Sequence, residues 1–339
     1  MDDQLYMTRA ISLSRLGLGK TFPNPIVGAV LLSSSGEVIG EGFHAGNEHA
    51  EVRALLDCAA RHNDPRGASM YVTLEPCNHF GRTPPCTQAL KNAGISRVVF
   101  ALKDPNPIAQ GGAMDLLDAG IEVTSALMAG EVRESNRSWL HKIETGKPYF
   151  IWKIASTLDG YSAALDGTSK WITSEQSRAS TQLLRAESDA VLIGTGTALA
   201  DNPSLIPRGD DRRPIRIVVG TRLIPDGSNL KDAQAPTIFL KTRDLNEVIA
   251  ALVELKVNQV LIESGSELGT SLLKAHFVDE IHWYQAPTIL GAGMKTIGDL
   301  DVTTISHRID FDVIKVERSG PDVLTVLRPK IREKAEVNS

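Results

Sequence analysis

The chain reads as two successive series of alternating strand-like and helix-like segments, divided by the polar, turn-prone stretch Glu144-Thr145-Gly146-Lys147-Pro148. Strands that alternate with helices build a sheet covered on both faces, so the fold class is α/β. The 339 residues suffice for two such domains, and we place them at residues 1–146 and 147–339. In the first series, Leu5, Thr8, Ile11 and Leu16 recur near a helical period, which predicts a helix over Met1–Lys20 that Gly17 and Gly19 stop. Apolar runs at Ile26–Leu32 and Glu37–Phe43 flank Ser33-Ser34-Ser35-Gly36 and read as a hairpin. A helix over His49–Arg61 follows, then a strand at Met70–Leu74 and a helix at Cys86–Ala93 with Gly94 behind it. A strand at Val98–Leu102, a helix at Met114–Ala119 and a strand at Ile121–Thr124 complete the series. The second series places strands at Tyr149–Ala155, Ala190–Ile193, Ile215–Val219, Thr237–Leu240 and Gln259–Ile262. Its helices are Ser174–Glu187, Leu245–Lys256 and Ser266–Ala275, and Asp310–Leu327 reads as a two-stranded ribbon turned at Ser319-Gly320-Pro321.

With 42% apolar and 23% charged residues, the chain is neither largely disordered nor fibrous. Its 36 Lys+Arg against 41 Asp+Glu leave a net charge of −5, with no electrostatic footprint for nucleic acid or for an anionic membrane surface. The longest apolar runs, such as Pro25–Leu32, fall far short of the ~20 residues a membrane helix needs. The opening Met-Asp-Asp-Gln lacks the basic and apolar regions of a secretory leader. Three cysteines, an odd number, argue against a disulfide framework and for a reducing, cytoplasmic setting.

The sharpest chemical signal is His49-Ala50-Glu51, followed by Glu75-Pro76-Cys77 and Cys86. One imidazole and two thiolates supply three ligands, and a catalytic zinc keeps its fourth position open for water. Glu51 is not a ligand; it stands beside the metal as general acid/base, as in nucleobase deaminases. The predicted helix dipole favours a thiolate at Cys86. The commonest deaminase signature has two residues between the cysteines, whereas Asn78–Pro85 separate them here. A purely structural zinc uses the same ligand types, but it leaves Glu51 without a role. Cys58, on the apolar side of its helix, reads as a small buried hydrophobe. His79 could rival the other ligands or face a substrate. His44 and His62 are candidates by type, and His44, ending a strand just before the site, has the better case.

The second half offers Gly194-Thr195-Gly196-Thr197 after a strand. It lacks the third glycine of a dinucleotide fingerprint, because Leu199 stands there, so it reads either as a plain turn or as a turn whose N–H groups approach a phosphate. Glu263-Ser264-Gly265 lies between a strand and a helix, an order that points backbone N–H groups at a pyrophosphate. Lys153, in an otherwise apolar strand, reads as paired or functional.

Thr21-Phe22-Pro23-Asn24-Pro25-Ile26-Val27-Gly28, Gly42-Phe43-His44, His49-Ala50-Glu51, Thr73-Leu74-Glu75-Pro76-Cys77, the spacer Asn78–Cys86 and Asp104-Pro105-Asn106-Pro107 together resemble the bifunctional deaminase-reductases of riboflavin biosynthesis. In the second half, Lys153–Gly160, Ser169-Lys170-Trp171-Ile172-Thr173, Gln182–Arg185, Thr195-Gly196-Thr197, Asp201-Asn202-Pro203-Ser204-Leu205 and Arg208 continue the likeness, which spans nearly the whole chain. The resemblance implies a cytidine-deaminase-like three-layer domain followed by a dihydrofolate-reductase-like α/β domain. It implies zinc on His49, Cys77 and Cys86, catalysis by Glu51, and a pyrimidine pocket lined by Asn24, His44 and Thr73–Glu75. It also implies NADPH against Ala155, Trp171, Thr197, Asp201 and Gly265. Lys153, Ser169, Arg185, Leu205, Arg208 and Glu263 would meet a phosphoribosyl-pyrimidine, whose phosphate suits the arginine forks. Pro287 and Leu290–Gly293 match the loop that closes on the cofactor. Ser264 stands where the family usually has glycine. The resemblance further implies homo-oligomers, dimers or larger. A base-flipping RNA deaminase fits the zinc motif but not the acidic balance, and a zinc-stabilised binding module fits the ligands but not Glu51.

Overall fold

A computed structural model of the chain describes residues 2–81, 84–106 and 110–330. Arg82 and Thr83 of the cysteine spacer, and Pro107 of the Asp-Pro-Asn-Pro motif, lie outside the described residues. The chain divides into two compact units, Met1–Lys147 and Pro148–Ser339.

The first unit runs α1 (Asp3–Ser14), β1 (Gly28–Leu32), β2 (Val38–Phe43), α2 (Ala50–Ala60), β3 (Ser69–Leu74), α3 (Cys86–Asn92), β4 (Arg97–Leu102), α4 (Gly112–Asp118), β5 (Glu122–Thr124), α5 (Ala129–Ser135) and α6 (Arg137–Thr145). Its sheet has the order β2-β1-β3-β4-β5, with β1 antiparallel to both neighbours and β3, β4 and β5 parallel. The N-terminal helix is shorter than its apolar spacing predicts: after Ser14 the chain tightens into one 3-10 turn, Arg15–Gly17.

Register shows how the layers form. Gly40 and Gly42 of β2 pair with Leu31 and Ala29, so all four point to one face, while Gly28 points to the other. On the first face α2 packs so close that a Cβ on Gly40 would lie 2.2 Å from the Ala54 carbonyl oxygen. On the second face a Cβ on Gly28 would lie 2.0 Å from the Ala10 carbonyl oxygen of α1. Helices therefore cover both faces, and β1, β3 and β4 are almost wholly buried between them. The pair α5–α6 stands outside the sequence reading, although Trp139, Leu140 and Ile143 recur at helical spacing in α6. Asn136, between them, is buried, and its side chain both donates to the Ile26 carbonyl and accepts from the Ile26 N–H at 3.0 Å. This fixes the segment that leads into β1.

The second unit contains β6 (Tyr149–Ser156), β7 (Tyr161–Ala163), α7 (Glu175–Glu187), β8 (Ala190–Gly194), α8 (Thr195–Asp201), β9 (Ile215–Val219), β10 (Thr237–Leu240), α9 (Leu245–Glu254), β11 (Gln259–Ile262), α10 (Ser266–Lys274), β12 (Glu280–Gln285), β13 (Met294–Lys295), β14 (Phe311–Ser319) and β15 (Asp322–Pro329). The main sheet has the order β10-β9-β8-β11-β6-β12-β15-β14. Pairing is parallel from β10 to β12, and β15 and β14 close one edge as the expected antiparallel ribbon. Gly194-Thr195-Gly196-Thr197 forms no separate turn, because β8 ends at Gly194 and α8 starts at Thr195. Among the described residues no helix is long and apolar enough to cross a membrane.

Gly40→Ala is expected to destabilise the first unit by about 1–3 kcal/mol, the usual range for overpacking. The readout is the midpoint of that unit's transition in scanning calorimetry. An unchanged midpoint would mean that α2 can move away from β2 at no cost.

Candidate functional site

The first cluster forms where three elements begin or end. His49 is the N-cap of α2, Cys86 is the first residue of α3, and Cys77 lies three residues beyond the end of β3. His49 Nδ1 is 3.2 Å from Cys86 Sγ and 3.5 Å from Cys77 Sγ. The Cys86 N–H donates to Cys77 Sγ at 3.4 Å. One ligand atom from each residue falls within a 4.8 Å span. A nitrogen and a sulfur on one tetrahedral zinc lie ~3.6 Å apart, given Zn–N of about 2.1 Å and Zn–S of about 2.3 Å. The spacing and the N/S/S donor set therefore fit zinc without rearrangement. His79 and His62 do not belong to this cluster, and Cys58 is buried against the Asn63 carbonyl.

The cluster already shares its protons. Hydrogen bonds from Cys86, and then from His49, outweigh burial and hold the Cys77 thiol down at about 4. The Cys77 thiolate and burial push Cys86 up. The hydrogen bond to Cys77 raises His49 against the opposing effect of burial. Glu51, in the first turn of α2, is 3% exposed. Burial, and then the Cys77 charge, raise its carboxyl to about 7. The buried His44 ring is centred 5.4 Å from that of His49 and is held at about 4 by burial and by the His49 charge. Asn24 is exposed, and its N–H and C=O close a tight turn with Thr21.

Two expected pocket residues instead brace the site. Thr73 Oγ1 accepts from the Gly28 N–H at 3.1 Å. Glu75 Oε1 accepts from the Ala113 N–H at 3.0 Å, and Oε2 from the Asp104 N–H at 3.4 Å. One carboxylate thus clips both ends of the segment from Asp104 to Ala113 beside Pro76-Cys77. The motif that names Glu75 carries no sign of this, because both partners are backbone groups far along the chain.

In the second unit, Lys153, Arg185 and Glu263 converge. Arg185 Nε and Nη2 donate to Glu263 Oε1 and Oε2 at 2.5 and 2.7 Å, with side chains 16% and 10% exposed. Burial opposes the Glu263 charge, but Arg185, and then Lys153, hold its carboxyl below the usual 4.5. Burial lowers Lys153; Glu263 opposes the shift and Arg185 adds to it. The Arg185 fork expected to take a phosphate is thus occupied by a carboxylate.

Thr197 Oγ1, in the first turn of α8, accepts from the Gly265 N–H at 3.3 Å, which ties α8 to the N-cap of α10. The neighbouring Ser264 Oγ is buried and has no partner among the described residues, as expected of a hydroxyl that a polar ligand satisfies. These groups fit the phosphate-bearing part of a nucleotide cofactor. Trp171 is 67% exposed, with the Arg178 guanidinium 4.4 Å over its ring. Ala155 lies in β6 opposite Tyr284, Ser169 is half-buried, and Asp201 ends α8 exposed. Arg208 is exposed, and its N–H donates to Gln182. Leu205 is 2% exposed in the core at φ +56°, so its backbone, not its side chain, is what it offers a ligand. Sequence reasoning missed Asp159, which accepts from the Leu290 and Gly291 N–H groups at 3.2 and 2.7 Å and so anchors the expected closing loop.

Comparison with known proteins follows this division. A family described as the cytidine and deoxycytidylate deaminase zinc-binding region matches residues 1–102, and the RibD C-terminal domain family matches residues 148–325. The riboflavin biosynthesis protein RibD of Mycobacterium tuberculosis is 41% identical over 95% of this chain and 96% of its own length. That of Escherichia coli is 37% identical, over 95% and 98%. The solved structure of Acinetobacter baumannii RibD aligns with a TM-score of 0.87 at 35% identity, covering 97% of this chain and 99% of that one. A Thermotoga maritima structure described as a diaminohydroxyphosphoribosylaminopyrimidine deaminase/5-amino-6-(5-phosphoribosylamino)uracil reductase aligns at 0.88 and 32%, with the same coverage. The chain belongs to the RibD family of bifunctional riboflavin-biosynthesis enzymes, in which a zinc-binding deaminase domain is joined to an NADPH-dependent reductase domain.

Proposed function

We propose that residues 1–146 deaminate 2,5-diamino-6-(5-phosphoribosylamino)pyrimidin-4(3H)-one and that residues 147–339 reduce the resulting 5-amino-6-(5-phosphoribosylamino)uracil to its ribitylamino product. The observation that carries the first half is the meeting of His49, Cys77 and Cys86 within 4.8 Å beside the buried Glu51. His49, Cys77 and Cys86 hold the zinc. When bound, zinc supplies Lewis acidity to water, and NADPH supplies the electron pair for the reduction. Glu51 accepts a proton from the attacking water and passes it to the ring nitrogen next to pyrimidine C2. It then takes the proton left on the added oxygen and delivers it to the departing amine, so a C–O bond replaces a C–N bond and ammonia leaves. A carboxyl with a pKa raised to about 7 is matched to both directions of transfer near neutral pH. His44, kept neutral by burial, and Asn24 hold the base by hydrogen bonds.

In the reductase half, Ala155, Trp171, Thr197, Asp201 and Gly265 face the cofactor. Trp171 offers a largely exposed ring held under the Arg178 guanidinium, and Thr197 with Gly265 offers the strand-to-helix corner. Lys153, Ser169, Arg185, Arg208, Glu263 and the Leu205 backbone take the substrate. Arg185 and Glu263 orient each other, and Arg208 stands open for the phosphate.

The finer setting is cytoplasmic, a reading supported by three free cysteines. The net charge of −5 favours a small-molecule substrate over nucleic acid. The assembled form is a homo-oligomer. Strand β14 is a nine-residue sheet edge on which Val313, Ile314 and Val316 are exposed, an edge that isolated chains normally protect.

Glu51→Gln is expected to keep zinc by elemental assay yet lower ammonia release by a factor of about 10² or more. Near-normal deamination with zinc present would refute its role. Glu263→Leu leaves the Arg185 and Lys153 charges facing each other and is expected to cost about 3–5 kcal/mol, whereas Arg185→Leu/Glu263→Leu recovers much of the loss. Because the folded pKa of Glu263 is depressed, its contribution is present above 4.5 and is lost as pH falls through the folded value. Acid unfolding of the wild-type second unit therefore begins below that pH, a component that Glu263→Leu lacks in circular dichroism. Val316→Lys is expected to lower the mass measured by light scattering toward that of one chain.

A further inference from the structure

Cys77 is held by more than the groups around the metal position. Its carbonyl accepts from the Thr87 N–H at 3.3 Å and its Sγ from the Cys86 N–H, so backbone and side chain both rest on the start of α3. Upstream it is held through Glu75. The Glu75 N–H donates to the Leu102 carbonyl at 2.8 Å and carries the β3–β4 pairing past the end of β3. Its buried carboxylate accepts from the Asp104 N–H and from the Ala113 N–H, a first-turn donor of α4 that has no partner within the helix. Pro76 stands between Glu75 and Cys77. A proline fixes its own φ and confines the residue before it to extended backbone, so Glu75-Pro76-Cys77 is a stiff link.

Two further contacts close the link. A Cβ on Gly112 would lie 1.8 Å from the Pro76 carbonyl oxygen and 3.3 Å from Thr87 Cγ2, so the start of α4 sits against both the link and α3. Lys91 of α3 and Asp115 of α4 pair at 2.9 Å. The segment that leaves β4 at Asp104 and enters α4 at Ala113 thus has both ends on one carboxylate, two residues from a metal ligand. Freedom of Cys77 is passed through the stiff link to both amides. A dication that holds Cys77 against His49 and Cys86 removes that freedom, and coupling between two sites is reciprocal.

We infer that Glu75 is a positioning residue that couples zinc at Cys77 to the segment entering α4: filling the metal site tightens the Asp104 and Ala113 ends, and releasing those ends weakens zinc. The metal then orders a stretch of backbone that it does not touch. The inference rests on reading His49, Cys77 and Cys86 as the zinc ligands.

The test is hydrogen exchange at the Asp104 and Ala113 amides of the full chain, with zinc and after its removal by a chelator, in wild type, Glu75→Gln and Gly112→Ala. In wild type, zinc is expected to slow exchange at both amides about fivefold or more, the low end of the usual coupling between two sites. Glu75→Gln offers one acceptor oxygen where two are needed, and Gly112→Ala pushes α4 off Pro76, so each should abolish most of that difference. Zinc affinity, read by competition with a chromophoric chelator, should fall by a comparable factor in both. Arg97→Gln is the control for lost stability alone: it removes the pairs with Asp3 and Glu122 at the opposite end of β4 and should leave zinc affinity unchanged. Equal loss of zinc affinity in Arg97→Gln would overturn the inference, as would wild-type amides that exchange alike with and without zinc. Cobalt in place of zinc separates the underlying reading. Without thiolate-to-cobalt absorption in wild type, the ligand assignment and the coupling fall together, whereas normal absorption with unchanged exchange sinks the coupling alone.

Discussion

A strand that pairs in parallel with its neighbour cannot reach it by a hairpin; the chain must leave the sheet, cross over and return to the starting edge. Both units obey this constraint, and it decides where their chemistry lies. Within each unit the parallel strands deliver their last residues to one rim, and β8, β10 and β11 run there almost directly into a helix. Cys77 follows β3 in this way, Thr197 follows β8, Arg222 follows β9 and Gly265 stands between β11 and α10. At such a rim side chains are no longer covered by a neighbouring strand, and backbone N–H groups lack ladder partners, so ligands collect there. The exception is instructive. His44 and His49 arrive from the antiparallel hairpin β1–β2, whose tight glycine packing on α2 brings the helix start next to Cys77 and Cys86.

Much of this was legible in the sequence, because the residues of the first cluster announce themselves locally. His49-Ala50-Glu51 opens a helix, Cys77 follows an apolar strand, and each fragment implies its own secondary structure. What stayed hidden was carried by long-range backbone partners. Asn136 reads as an ordinary polar residue, yet it clasps the backbone of Ile26 across 110 positions. Glu75 reads as part of a ligand motif, yet its carboxylate is spent on Asp104 and Ala113 N–H groups. The strand β12 escaped for a related reason. Glu280 and His282 break its apolar run, and only the folded sheet shows them joined to each other, with Tyr149 and Arg328 also donating to the carboxylate. Buried polar groups disguise a strand whenever their partners lie on distant segments.

Arg216 makes the same point in the second unit. It is fully buried in β9, where a periodic reading expects an apolar residue. Its Nη atoms donate to the carbonyls of Ser204, Asn229, Asp232 and Ala235 and to the Asp232 carboxylate. A single guanidinium thereby satisfies carbonyls of two loops that the sheet itself cannot pair, including the Asp201–Leu205 stretch. Burying the charge is costly, and only this number of acceptors makes it tolerable. Arg185 follows the same logic with one carboxylate, which is why its fork is not free for an anion.

The two halves differ in how they meet their ligands. In the first, the imidazole nitrogen lies within hydrogen-bond distance of both sulfurs. A dication held there takes the place of protons, which couples metal affinity to pH. In the second, Arg222, Lys241, Arg243 and Arg208 remain exposed, and Trp171 is largely exposed with the Arg178 guanidinium over its ring. The first half is thus complementary to a small cation through its own internal balance.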